Sequence, residues 1–140
     1  MNVGGDLGLK YKIDGKLAIV IAQAIGALTM EDVTQYRKRL QADGDFNRDF
    51  SQLMDLSGVI KVELTAEQIR AIAASPLFSS RSRHAYVVKT PAMFGLVRMY
   101  GTYTEIASGR ANTQVFYGRD QAMAWLLEPE GLGHDTNLHG

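Results

Sequence analysis

One hundred and forty residues, 46% of them hydrophobic, suffice to bury about two-thirds of the unfolded surface around one core, so a single domain is expected. Fifteen Lys and Arg balance fifteen Asp and Glu, which leaves no global field to draw the chain onto phosphate backbones and argues against nucleic acid as a partner. The absence of cysteine excludes disulfides, thiolate catalysis and cysteine metal sites, and it fits a reducing cytoplasm.

Met1 to Asp6 is Gly-rich and reads as a flexible start, with no basic stretch leading into an apolar one and hence no secretory signal. Leu7, Leu9, Tyr11 and Ile13 alternate with Gly8, Lys10, Lys12 and Asp14, the period of a half-buried strand. Asp14-Gly15 signals a hairpin. The nearly continuous apolar run from Leu17 to Ile25 suits a strand covered on both faces, and it is far too short for the roughly 20 residues of a membrane span. Thr29 then caps a helix with Glu31 and Asp32 in its first turn and Val33, Tyr36, Arg37 and Leu40 at helical spacing. The helix is expected to run to about Ala42 and to end in the Asp43-Gly44 turn.

After a polar linker flanked by Phe46 and Phe50, Gln52 to Leu56 reads as a buried mid-sheet strand and residues 57–65 as a turn. In a wound α/β fold the carboxyl end of such a strand is where a ligand is held. Thr65 with Gln68 makes a capping box for a helix that Ser75-Pro76 stops. A Ser-rich loop follows, then an inner strand from His84 to Lys89. Thr90 caps and Pro91 opens the longest and most apolar helix, which Gly109 ends. Asn112 to Tyr117 is the last strand, and Gly118-Arg119-Asp120 leads into a short helix, Gln121 to Leu127, ended by Pro129. Residues 128–140 read as flexible. The predicted order is ββαβαβαβα: one α/β domain over residues 7–127, with a mixed, mostly parallel sheet whose first strand is antiparallel at an edge.

This order, with Asp55-Leu56-Ser57-Gly58-Val59 leaving the middle strand, resembles the STAS domains of the anti-sigma-factor antagonists. It is more similar still to the SpoIIAA-like (STAS/SEC14-type) bacterial proteins. That second resemblance rests on Gly26-x-Leu-Thr-x-Glu-Asp32 entering the first helix, Phe94-Gly-Leu-Val-Arg-Met-Tyr100 in the long helix, and Val115-Phe116 followed by Asp120-x-Ala-x-Ala-Trp-Leu126. These are mostly core and capping positions, so they bear on the fold more than on the function. The resemblance implies a STAS-like fold and a regulatory or protein-interaction domain. In the partner-switching antagonists the second helix opens with an acid-serine-serine-glycine segment whose serine is phosphorylated. The matching place here reads Val62-Glu63-Leu64-Thr65, which leaves Thr65, and beyond it Ser57, as the hydroxyls for such a switch; the residues argue against both.

The residues offer little catalytic chemistry. Asp55 at a strand end either orients a ligand or, as the favoured reading, accepts N–H groups from the Ser57-Gly58 turn. Glu63 precedes the cap and Glu67 follows it, so the pair need not share a helical face. His84 begins a strand, His134 and His139 lie near the carboxyl terminus, and no His or carboxylate at ligand spacing accompanies them. There is no nucleophile elbow, Walker loop or GxGxxG. No enzyme activity, metal or cofactor is therefore expected.

Two features point toward binding. Arg81, Arg83 and Lys89, beside the Thr90-Pro91 helix start, form either an anion site or a solvated basic rim. In the long helix, Met93, Phe94, Leu96, Val97, Met99, Tyr100 and Tyr103 exceed a single apolar stripe of about 100°. The surplus is covered by the protein's own core, by a second subunit in a homodimer, or by a hydrophobic ligand. The leading expectation is a non-catalytic regulatory domain that meets a protein partner through the 57–65 turn and the long helix. The alternative is a carrier or sensor of a small amphipathic, lipid-like molecule. Met93, Phe94, Val97 and Tyr100 would then wall a pocket, with Arg81 or Arg98 at the polar head.

Overall fold

The computed structural model describes residues 8–129; the expectations for residues 1–7 and 130–140, His134 and His139 included, lie outside them. Leu9–Asp14 (β1) and Ile19–Thr29 (β2) form the antiparallel hairpin that the alternation predicts. Asp14 Oδ1 accepts from the backbone N–H groups of Lys16 and Leu17. The positive φ of the loop falls on Ala18, at 60°, and not on Gly15.

Met30–Ala42 (α1), Ala66–Ala74 (α2), Pro91–Ser108 (α3) and Arg119–Leu126 (α4) alternate with Ser51–Glu63 (β3), His84–Val87 (β4) and Thr113–Phe116 (β5). The helix starts follow the capping logic of the sequence. Thr29 Oγ1 accepts from the Asp32 N–H while Asp32 Oδ2 accepts from the Thr29 N–H, each at 3.1 Å, and Thr65 with Gln68 repeats the box on α2. Thr90 accepts from Met93 N–H with Pro91 in the first helical position, and Gly109 ends α3 at a φ of 79°. α4 starts at Gly118 with no side-chain cap.

Strands β1 to β5 lie in sequence order across one sheet, with β1 antiparallel at the edge and the rest parallel. Because that order never reverses, right-handed crossovers carry α1, α2 and α3 to the same face. Leu9, Val20, Ala22, Met54, Tyr36, Leu40 and Val97 build the core there. The opposite face is smaller: Ile19, Leu53, Ala85 and Val87 pack under Ala122 and Leu126 of α4. A sheet that winds in one direction has no switch point, and with it goes the crevice that the sequence reading placed at the carboxyl end of the middle strand.

β3 departs most from expectation. The pattern predicts a strand ending near Leu56 and a turn over 57–65, whereas β3 continues to Glu63. Two register shifts against β2, between Gln23 and Ile25 and between Gly26 and Ala27, take up the extra residues. Gly26 supplies a φ of 79° at the second. Asp55 does accept from Ser57, through the backbone N–H at 2.9 Å and the hydroxyl at 2.6 Å, but it does so at an irregularity within a strand. Its other oxygen takes the Arg119 guanidinium at 3.1 Å, which ties β3 to α4.

Candidate functional site

The alternation of β3 and β4 decides which side chains meet. Gln52, Met54 and Leu56 face α1–α3, while Leu53 and Asp55 face the other way. The pairing sets Gln52 beside His84 and Met54 beside Tyr86, and then His84 beside Thr113 and Tyr86 beside Val115. A polar row therefore crosses the amino ends of the parallel strands, with a more apolar row above it.

Over these rows, beneath the three helices, lies a cavity of about 350 Å³, within the range of small-molecule sites. Its composition is graded. Toward the carboxyl ends of the strands it is walled by Leu28, Leu56, Val62, Leu64, Met93 and Leu96. Toward the amino ends stand Tyr36, Gln52, His84, Tyr86 and Tyr100, with Arg37 beside them. The Tyr36 hydroxyl donates to Gln52 Oε1 at 2.5 Å, and Gln52 Nε2 lies 3.0 Å from His84 Nδ1. The Tyr86 and Tyr100 rings meet edge to face, with centroids 5.9 Å apart.

Burial governs the electrostatics of this cluster. It holds His84 down to about 4 and is the first cause of the raised pKa values of Tyr36, Tyr86 and Tyr100. At neutral pH the four side chains are thus uncharged, and each phenol keeps its proton. His84, Tyr86 and Tyr100 keep partial exposure, and all three line the cavity. Arg37 stays within electrostatic range of Tyr36 and Tyr100 and donates to the Ser75 carbonyl.

The structure divides the residues singled out from sequence. Met93, Val97 and Tyr100 line this cavity. Phe94 and Arg98 turn away, into a separate polar groove between α3 and β5, where Phe94 stacks on Tyr117 with ring centroids 5.0 Å apart. The long helix is not a core helix, since Val97 is its one buried residue; it roofs the cavity along one side. Arg81 is exposed near the amino end of β4 and Lys89 near its carboxyl end, so they do not converge on one anion. Arg83 is occupied: it donates to the carbonyls of Trp125 and Glu128 at 2.8 and 3.0 Å and lies over the Trp125 ring, closing the end of α4. Among the described residues, no three His, Cys, Asp or Glu side chains group as metal ligands, and no helix is long and apolar enough to cross a membrane.

Ser57 and Thr65 are both engaged, Ser57 with Asp55 and Thr65 with the Gln68 N–H at 3.0 Å. Thr65→Ala is expected to destabilise the protein by about 1 kcal/mol, and Thr65→Ser to keep most of that, as read by urea denaturation.

Sequence reading missed the polar half of the site. From sequence, Tyr36 reads as part of a helical spacing, and Gln52 and Tyr86 as strand. The available signal was a Gln and a His at inward-facing positions of strands otherwise apolar on that face, because a polar side chain is placed there only with partners.

No protein-family model matches the sequence, nor does any curated protein. Solved structures do. One is an uncharacterized protein of the DUF3478 family from Shewanella loihica PV-4, with a SpoIIAA-like fold. It is 19% identical, with a TM-score of 0.61 over 85% of this chain and 94% of that one. Another is an anti-sigma factor antagonist from Mycobacterium paratuberculosis, 13% identical, with a TM-score of 0.57 over 86% and 95% of the two chains. The chain thus has the SpoIIAA-like α/β fold, and the STAS-like resemblance drawn from its sequence holds at the level of architecture.

Proposed function

We propose that this protein is a non-catalytic binding module that takes a small amphipathic molecule between its sheet and the helices α1–α3. The observation that carries this is the graded cavity, apolar at one end and hydrogen-bonded at the other, in a domain whose core residues otherwise pack closely. Small-molecule sites are concave, mostly apolar and carry a few placed polar groups, and about 350 Å³ of mostly apolar-walled space has that character. Native mass spectrometry of freshly purified protein tests it. The expected result is an adduct of a few hundred daltons, a size that suits pockets of roughly 300–1,000 Å³. Val97→Phe, which fills the space from α3, is expected to abolish the adduct while the protein still melts cooperatively. Protein that carries no adduct and shows no thermal shift with amphipathic compounds would sink the reading.

A second reading, regulation through a protein partner or a second copy, draws on the arm where β2 and β3 run on beyond β4. Ile60 is 86% exposed there and Ile25, on the neighbouring strand, 49%, large apolar side chains that no described residue covers. The same spectrum measures the subunit count. A monomer that is unchanged by Ile60→Glu and binds no partner would remove this reading.

A further inference from the structure

The polar end of the cavity is unbalanced in charge. Arg37 and Arg48 are its charged lining residues, and no Asp or Glu lines it among the described residues. Arg48 is exposed, with its Nε spent on the Leu77 carbonyl, whereas Arg37 is only half-exposed, follows Tyr36 directly on α1, and gives one nitrogen to the Ser75 carbonyl. The cluster is also rich in protons. Its three hydroxyls, one amide and one neutral imidazole carry six polar hydrogens between them. The internal hydrogen bonds Tyr36–Gln52 and Gln52–His84 take up two. Four donors are left over within the cluster, the Tyr86 and Tyr100 hydroxyls having no partner in it, and that count is the same whichever way the Gln52 amide is turned.

Spare donors beside a guanidinium with no carboxylate opposite it favour one kind of head group. An ammonium would meet positive charge and hydrogen-bond donors. An alcohol would accept at most two hydrogen bonds, bring a donor of its own and leave the charge unanswered. A carboxylate accepts several hydrogen bonds at once and pairs with the cation, which is the condition under which burying an anion becomes tolerable. We propose that the occupant is an amphipathic monocarboxylic acid, its carboxylate held by Tyr100 and Arg37 at the amino ends of the strands and its apolar body directed toward Leu28, Leu56 and Met93. This rests on the cavity-binding reading above and adds the chemistry of the head.

Calorimetric titration of the full chain at neutral pH with decanoate, decanol and decylamine separates the two claims, because the three probes share a body and differ in the head. Decanoate is expected to bind at least about tenfold more tightly than either of the others, the scale of a charge-assisted hydrogen bond. Arg37→Gln should remove that preference while leaving decanol affinity unchanged, and Arg37→Lys should restore most of it. Tyr100→Phe should weaken decanoate by about tenfold. Melting curves of the unliganded variants check that each is folded. Equal or tighter binding of decanol or decylamine overturns the carboxylate assignment and leaves the cavity reading standing, and a preference that survives Arg37→Gln overturns it likewise. Failure of all three probes to bind folded wild-type protein overturns the cavity reading and this inference together.

Discussion

Truncating Leu53 to alanine is expected to destabilise the protein by about 2–5 kcal/mol, as for other fully buried leucines. Leu53 is 0% exposed and stands on the face of the sheet away from the cavity, among Ile19, Ala85, Val87, Ala122 and Leu126. α4 spans only Arg119–Leu126, too short to stay helical alone in water, so this cluster and the Arg83 contacts at its end hold it in place. A void beneath it removes contacts that α4 cannot replace. Leu96→Ala offers the contrast: its side chain already borders open space in the cavity, makes fewer contacts to lose, and should cost about 1–2 kcal/mol. Urea denaturation of both variants gives the comparison. Equal losses would mean that the space beneath α3 is filled by the protein's own side chains, and the binding reading would lose its basis.

The sequence made the architecture legible because local signals there agree with one another. Thr29 with Asp32, Thr65 with Gln68 and Thr90-Pro91 mark three helix starts to the residue, and the period-two pattern from Leu9 to Ile13 gives the edge strand. Two things escaped it. Ser57-Gly58 reads as a turn because both residues favour turns, yet strand pairing with β2 carries the backbone on through two register shifts, an outcome set by the neighbouring strand and not by local propensity. The candidate site was half visible: Met93, Val97 and Tyr100 share the inward side of one helix and could be grouped from their spacing, whereas Tyr36, Gln52, His84 and Tyr86 come from three separate elements and meet only through strand register. Phe94 and Arg98, grouped with the first set, fall on the other side of the same helix.

His84 makes the polar end of the cavity measurable through its pH response. Burial holds its folded pKa at about 4, against the ordinary imidazole value of 6.5 in the unfolded chain, so between those limits the unfolded state binds a proton that the folded state refuses. Stability therefore rises with pH across this window. The contribution is fully present above about pH 6.5 and is lost as pH falls toward 4, at about 1.4 kcal/mol per pH unit and about 3 kcal/mol in all. Carboxylates also titrate at the acid end of the window, so the informative quantity is a difference between proteins. His84→Gln removes the titrating ring, keeps a hydrogen-bonding group near Gln52, and is expected to flatten the slope between pH 6.5 and 4.5 while costing stability at pH 7. Chemical denaturation at half-unit pH steps reads both effects. A slope unchanged in the variant would show that the imidazole titrates freely in the folded state, which a side chain beneath three helices and bonded to Gln52 cannot do unless that end of the cavity is open to water. An open, hydrated end would shield a bound head group from Arg37 and cut the discrimination among heads that the cavity can exert, so the same slope that tests His84 also sets how selective the site can be.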